Sequence, residues 1–451
     1  MGEAEGAVRF YCTAGGGMEA FLLKEVKHKL GATEVEDIPG RVFFRTRSSL
    51  HEIMQLKSAE RLFLLLRKAP PLSLPKNPAK AVSIIQQSIV GSPDVWSHAL
   101  CTWSAFQAEL KVSEGRGQKR KRDEEEKEEE NRRNEIVESG QLGGLCQDHP
   151  TFRVSCRCSG AIARYYNSQN LSRIIGAAIS RELGWKADLR QPTVEVNVHL
   201  NDDHCVFGIP LLRHPLASRS YIKHTGLRST IAWAMTSLCP LQETSVILDP
   251  MCGVGTILLE AAQECPNAVF IGMDSEVDQL QKAAENVDCA CLGSRILLVK
   301  SSCMAIPLQA GSVDTVLCDV PFGRKFSCST DMTTALPQIL TEMERVLREG
   351  GSLILLLSLQ LSAQINKIIK SNKLNSHSGA ANHDVGSHDS AHTMKTQISE
   401  TSQHNQTKIL KFSSLHLQNK HKVSLGTTDA IIHTYIKAHI QTETHITMLN
   451  L

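Results

Sequence analysis

Across its 451 residues the chain has no Cys-x-x-Cys pair. The closest cysteines are Cys156-x-Cys158 and Cys289-x-Cys291, and most of the 14 lie inside apolar stretches. That distribution argues against a structural zinc site or a disulfide scaffold and fits reduced core thiols of an intracellular protein, so no metal is expected. Long apolar runs are missing too: stretches such as Leu353–Leu357 are far too short to cross a bilayer, and no membrane association is expected. The start, Met1-Gly2-Glu3-Ala4-Glu5-Gly6, has neither the apolar core of a signal peptide nor the Ser or Thr at position six that myristoylation requires. Charge of one sign is also lacking, since acidic and basic blocks cancel to a formal net charge of +2, and only local patches can argue for nucleic acid. These bounds leave a soluble chain of about two to four domains.

The blocks themselves divide the chain. Over residues 8–112 short strands alternate with helices: Val8–Cys12 is a strand, and Met18, Phe21, Leu22, Val26 and Leu30 recur at helical spacing up to Gly31. Strands follow at 41–46 and 61–67, a capping box at Ser49–Glu52, and helices over 79–90 and 94–110. The pattern is that of an α+β, ferredoxin-like packing module. Residues 113–149 then run through Lys119-Arg120-Lys121-Arg122 into Glu124–Glu130, too polar to bury a core, and read as a disordered charged linker. The basic cluster 119–122 reads either as a nuclear localisation signal or as a solvated linker face, leaving the protein nuclear, cytoplasmic or both, with the nucleus favoured.

Folding resumes at 150–221, with a strand at 152–157, a helix whose Leu171, Ile174, Ile175, Ala178, Ile179 and Leu183 share one face, and an alternating strand at 193–200 returning through 205–209. Arg153, Arg157, Arg164, Lys186 and Arg213 spread through this stretch as candidate RNA contacts, against the alternative of ordinary surface cations. From 222 to 370 strands at 245–248, 268–273, 295–299, 313–318 and 352–357 alternate with helices, which predicts an α/β, Rossmann-like, doubly wound sheet. Residues 371–420 are polar and aperiodic; their irregularly spaced histidines, His377, His383, His388, His392 and His404, favour a disordered insertion over a metal site. Two strands at 421–426 and 430–437 should close the same domain, over 421–440, as an antiparallel hairpin.

The chemistry concentrates in two stretches of that domain. In Ser245-Val-Ile-Leu-Asp249-Pro-Met-Cys252-Gly253-Val-Gly255-Thr256 a strand buried on both faces stops at Asp249, turns through Gly253 and Gly255, and enters a helix. A dinucleotide site would need a third small residue where Leu258 stands, and Asp249 would repel a pyrophosphate. The pattern suits a ligand bearing cations and hydroxyls, S-adenosyl-L-methionine, with Asp274 and Ser275 at the end of the next strand beside the ribose diol. Asp319-Val320-Pro321-Phe322 ends a later strand on the same rim. There the Asp319 carboxylate and the Val320 carbonyl would accept the hydrogens of a nucleobase amine, and Phe322 would stack on the base. The alternative is a plain strand end with Pro321 setting the turn and Phe322 in the core.

D-P-x-C-G-x-G-T followed by D-x-P-F-G resembles the S-adenosylmethionine-dependent RNA guanine-N2 methyltransferases that carry a THUMP domain, over residues 8–112, 151–370 and the C-terminal hairpin. The resemblance implies a THUMP RNA-binding domain at 150–221, a class I methyltransferase domain, guanine N2 as acceptor, structured RNA (tRNA or small nuclear RNA) as substrate, and a heterodimer with a small zinc-finger activator subunit. It also implies a cofactor pocket completed by Ser302 and Cys303, which stand where the family has an acidic residue near the adenine. Val320 replaces a proline of the family, and because that residue contributes its carbonyl the chemistry survives. Apart from the resemblance, His224 reads as a residue between domains or at a helix cap rather than as a catalytic group. Two rival readings are an RNA-binding protein without catalysis and a protein glutamine methyltransferase, whose amide substrate would use the same acceptors.

Overall fold

A computed structural model describes residues 7–72, 80, 82–85, 90–122, 150–240, 242–322, 332–377 and 414–439. It divides into two compact units, 1–218 and 219–451.

The first unit is built on strands β1 (Val8–Thr13), β2 (Thr33–Ile38), β3 (Arg41–Thr46), β4 (Arg61–Ala69), β5 (Thr151–Cys158), β6 (Lys186–Ala187), β7 (Val194–Leu200) and β8 (Cys205–Pro210). Helices α1 (Glu19–Leu30), α2 (Leu50–Met54), α3 (Pro93–Arg122) and α4 (Ser168–Leu183) accompany them. All eight strands form one sheet, ordered β2-β3-β1-β4-β8-β7-β5-β6. Antiparallel pairing of β4 with β8, Leu64 opposite Ile209, is the seam. The stretches read as an N-terminal module and as an RNA-binding module therefore share one sheet.

Period-two patterning explains the layering. Val194, Val196, Val198 and Leu200 of β7 point one way, into a core with Phe10, Phe44, Leu64 and Phe152 and the helical residues Leu22, Val26, Leu171 and Ile175. Among the described residues the opposite face carries a small cluster, Tyr11, Phe43, Phe63 and Val206. Its centre is Tyr11, stacked on Phe63 with centroids 4.6 Å apart. The ring lies over Gly208, where a Cβ would come within 2.5 Å of it.

The second unit begins with α5 (Ser229–Ser237). Then come β9 (Val246–Asp249), α6 (Thr256–Glu264), β10 (Val269–Asp274), α7 (Val277–Cys289), β11 (Ile296–Lys300), β12 (Val313–Asp319), α8 (Met332–Val346), β13 (Leu347–Ser358), α9 (Leu359–His377), β14 (Leu415–Ser424) and β15 (Asp429–Lys437). Its seven strands are ordered β11-β10-β9-β12-β13-β15-β14. The first five are parallel, and β15 and β14 close the sheet antiparallel. Strand order reverses between β9 and β12, which opens a crevice at their carboxyl ends. One apolar cluster below it joins Leu248, Val316, Cys318 and Leu355 to Leu336, Ile339 and Met343 of α8.

Several boundaries move. β2 was not expected: TEVEDI is an edge strand with no buried residue, so it lacks an apolar signal. Helix α3 continues through Arg122, into the stretch read as linker, while 123–149 lie outside the described residues. Helix α9 reaches His377 and β14 starts at Leu415, so both ends of the expected insertion belong to regular elements. Residues 378–413, with His383, His388, His392 and His404, lie outside the described residues, as do 79, 81 and 86–89 of the helix expected over 79–90, whose residues 80 and 82–85 are helical. Among the described residues no helix is long and apolar enough to cross a membrane.

Candidate active site

The glycine turn is closed by backbone hydrogen bonds. Cys252 N donates to Met273 O at 2.8 Å and Gly255 N to Cys252 O at 2.8 Å. Gly253 and Gly255 adopt φ of 52° and 82°, a region that favours glycine, and Gly255 is the residue at which α6 begins. The first amide groups of α6 accordingly point into the crevice. Gly253 N donates to Asp274 Oδ2 at 2.9 Å, and Glu276 N donates to Asp274 Oδ1 at 2.9 Å. That carboxylate is pinned, yet each oxygen keeps a lone pair for a hydroxyl. The Ser275 hydroxyl lies 3.4 Å from a Glu276 carboxylate oxygen.

Asp249 is only 1% exposed. Its Oδ1 accepts a hydrogen bond from Met251 N at 3.2 Å, whereas its Oδ2 is buried without a partner, as is Thr256 Oγ1. Two orphaned polar atoms at the mouth of a parallel sheet fit a bound polar ligand. Burial holds the Asp249 carboxyl well above the usual carboxylate range, and the charges of Asp319 and Asp274 add to it. A cationic ligand would relieve all three carboxylates.

Across the crevice β12 delivers Asp319 beside Leu356 of β13. Val320 N donates to Leu356 O at 3.1 Å, and the Val320 side chain is fully buried in the apolar cluster. Val320, not Phe322, is the core residue here; Pro321 and Phe322 are half-buried and Gly323 lies outside the described residues. Burial raises the Asp319 carboxyl to about 7. Ser301 N donates to Asp274 O at 3.1 Å, which brings the turn after β11 to the end of β10. In that turn Ser302 is exposed and Cys303 packs at the edge of the apolar cluster.

A strap at 219–228 holds this arrangement from behind. Arg219 Nε sits 3.0 Å from Glu260 Oε1 with side chains 4% and 0% exposed, and the Tyr221 hydroxyl donates to the same oxygen at 2.8 Å. Asn286 of α7 accepts from Lys223 N and His224 N through Oδ1 and donates through Nδ2 to the carbonyls of His224 and Val254. One amide thereby ties the strap to the glycine turn. A Cβ on Gly226 would approach Val254 Cγ2 to 2.7 Å and Thr256 Oγ1 to 3.2 Å. Neither Asn286 nor Gly226 was singled out in the sequence; an Asn three residues after Ala283 on the apolar face of a helix was the available signal, and the structure buries it fully. His224 does not cap the helix that follows it. Its Nε2 lies 2.8 Å from Glu285, which Lys223 and His224 hold down to about 2, and α5 has no side-chain cap.

In the first unit Arg153 and Arg157 lie on β5, Arg164 in the turn Ile162–Arg164, Lys186 on β6 and Arg213 beyond β8, all exposed. Arg153 is committed to Glu195, 2.6 Å away. Arg157 has no carboxylate partner among the described residues.

Two family models match the chain: the THUMP domain over residues 142–209 and the RMKL-like methyltransferase domain over 217–378. The chain is 38% identical to the U6 snRNA (guanine-N(2))-methyltransferase THUMPD2 of Bos taurus, covering 96% of each chain. It is 28% identical to the tRNA (guanine(6)-N(2))-methyltransferase THUMP3 of Bos taurus over 76% of this chain and 79% of that one. Among solved structures, SMU.472 complexed with SAH shares the fold, with a TM-score of 0.59 at 13% identity over 97% of this chain and all of that one (100%).

Proposed function

The chain belongs to the THUMP-domain RNA guanine-N2 methyltransferases, and from that premise we propose that it methylates the N2 amine of a guanine in a structured RNA, a U6 small nuclear RNA or a tRNA. The observation that supports this best is the rim of Asp249, Asp274 and Asp319, three carboxylates with one buried oxygen unpartnered, facing a base-binding stretch at Val320–Phe322. S-adenosyl-L-methionine, when bound, supplies an electrophilic methyl on a sulfonium. Asp249 Oδ2 is free to accept from an ammonium group, the remaining lone pairs of Asp274 from ribose hydroxyls, and in this reading Thr256, Ser275, Ser302 and Cys303 complete the cofactor's surroundings. Asp319 and the Val320 carbonyl accept the two amine hydrogens, which turns the nitrogen lone pair out of conjugation with the ring, and Phe322 stacks on the base. The rigidity that a proline gives in relatives is supplied here by packing, since the Val320 side chain and N–H are both held by β13. Purified protein, given U6 and tRNA transcripts, should yield N2-methylguanosine by nucleoside mass spectrometry. RNA bound without any methylated nucleoside would favour the non-catalytic reading, and methylglutamine in a protein substrate the glutamine reading.

We infer further that a small zinc-finger activator subunit pairs with the second unit at the β11 edge. Leu297 and Val299 of that edge strand are 54% and 37% exposed, and Val269 and Val277 beside it 44% and 55%. An apolar strand edge left open is a template for strand addition. Leu297→Asp should abolish co-purification of the activator while cofactor affinity of the isolated chain persists; retained co-purification would place the partner elsewhere. The basic cluster 119–122 supports nuclear residence, which its replacement by alanines in a fluorescent fusion would test.

A further inference from the structure

The face of the first unit's sheet that its helices leave open gathers cations that neither the fold nor the proposed chemistry uses. Strand register puts them on one side. Phe43 pairs with Tyr11, so Arg41 and Arg45 share the Tyr11 face, while Arg157 pairs with His199 and His199 with Val206, a member of the same cluster. The His199 and His204 rings stack with centroids 5.8 Å apart. The charge of Arg41 reaches both imidazoles and is opposed by that of Arg157.

Most cations of this face have an acid at hand: Arg9 and Arg45 have Glu34, Lys68 has Glu36, Arg153 has Glu195. Arg41 and Arg157 have none among the described residues. Arg41 Nε and His199 Nδ1 are buried and without a hydrogen-bond partner. Burial first, then Arg41, His204 and Arg157, push His199 down to about 4, so that at neutral pH its imidazole is uncharged and can donate one hydrogen bond. Of the acids, Asp203 raises His204 against the burial and the Arg41 charge that lower it. Like charges brought together and partly dehydrated without a counterion are destabilising unless an anion completes them. Two guanidinium forks and two imidazoles match the two free oxygens of a phosphodiester.

We propose that Arg41, Arg157, His199 and His204 together hold a backbone phosphate of the RNA substrate on the open face of the eight-stranded sheet. Arg41 lies outside the matched THUMP segment 142–209, so the site spans both stretches that the β4–β8 seam joins. This deepens the RNA methyltransferase reading and rests on it.

The test uses the full chain and a U6 small nuclear RNA transcript, with affinity measured by fluorescence anisotropy between 50 and 200 mM salt. Arg41→Gln should weaken binding about fivefold or more and make the log–log salt dependence shallower by about one unit. Arg41→Lys should restore the slope but only part of the affinity, since a point charge replaces a fork. Cofactor affinity by calorimetry should be unchanged. If Arg41→Gln fails to fold, Arg157→Gln serves in its place, with the same expected slope change. An unchanged slope in a folded variant, against a wild-type chain that binds RNA, overturns this site alone. Failure of the wild-type chain to bind the transcript overturns the RNA reading with it. The loss on Arg41→Gln should persist on a transcript with dephosphorylated ends; its disappearance would assign the site to a terminal phosphate and overturn the phosphodiester.

Discussion

Both sheets of this protein collect charge of one sign, and they hold it differently. In the second unit Asp249, Asp274 and Asp319 stand at strand carboxyl ends, where Met251, Gly253 and Glu276 present backbone N–H groups to the first two. In the first unit Arg41 is the first residue of β3, and Arg157 and His199 are the next-to-last residues of β5 and β7; each is paired within the sheet, so neighbouring side chains rather than turn amides answer their charge. A parallel sheet brings turns and helix starts to one rim and can stabilise anions with amides. A mixed sheet face offers nothing of the kind. The carboxylate site is therefore built to receive a small cation in a fixed pose, and the cationic face to receive a polyanion at several points.

The comparison breaks first at Asp319. Its replacement by Ala should cost about two orders of magnitude or more in single-turnover methylation, with Asn retaining an intermediate rate because its carbonyl still accepts from the amine. Equal loss in Asn and Ala would make the carboxylate a proton acceptor instead. Since burial raises Asp319 to about 7, the ionised form is lost as pH falls through that value, and kcat/KM should decline there. In Asp319→Asn that limb should be absent, since an amide does not titrate.

Asp249→Asn should weaken cofactor binding about tenfold or more, because a charge-assisted hydrogen bond contributes about 1.5–3 kcal/mol. It should also raise Tm. A carboxyl whose folded pKa lies above its unfolded value destabilises the fold at high pH, and the penalty fades as pH falls toward the unfolded pKa of about 4. Thermal melts at pH 8 and pH 4 check this: a gain at both would mean that packing, not charge, separates the variants.

Charge reversal sharpens the other side. Arg157→Glu should weaken RNA binding more than Arg153→Glu, since Arg153 already answers Glu195. Equal effects in filter binding would show that the ion pair opens on contact. The smallest effect belongs to Val320→Pro. It keeps the carbonyl but removes the N–H that bonds Leu356, so it should lower stability by about 0.5–1.5 kcal/mol and leave turnover within a few-fold.

What the sequence showed follows the same division. Val246–Leu248, Phe270–Met273 and Leu353–Leu357 are apolar runs because both faces of a parallel strand are largely buried, so their ends, and Asp249, Asp274 and Asp319 with them, are legible in the sequence. Strand β2 could not, since TEVEDI carries three acids and buries nothing. Nor could the cluster at Arg41, Arg157 and His199. Those residues are distant in sequence and become neighbours only through the register of five intervening pairings, which no periodicity encodes.

The β4–β8 seam has a consequence in time. Ala69 pairs with Cys205, so during synthesis β4 has no partner on that side until β8 has been made, on the order of ten seconds or more at 5–20 residues per second. Over that interval the nascent chain presents Leu62, Leu64 and Leu66 along an open ribbon. Assembly of the RNA-facing sheet is thus a late, high-contact-order event, and its yield in a cell depends on what shelters that ribbon while the ribosome finishes.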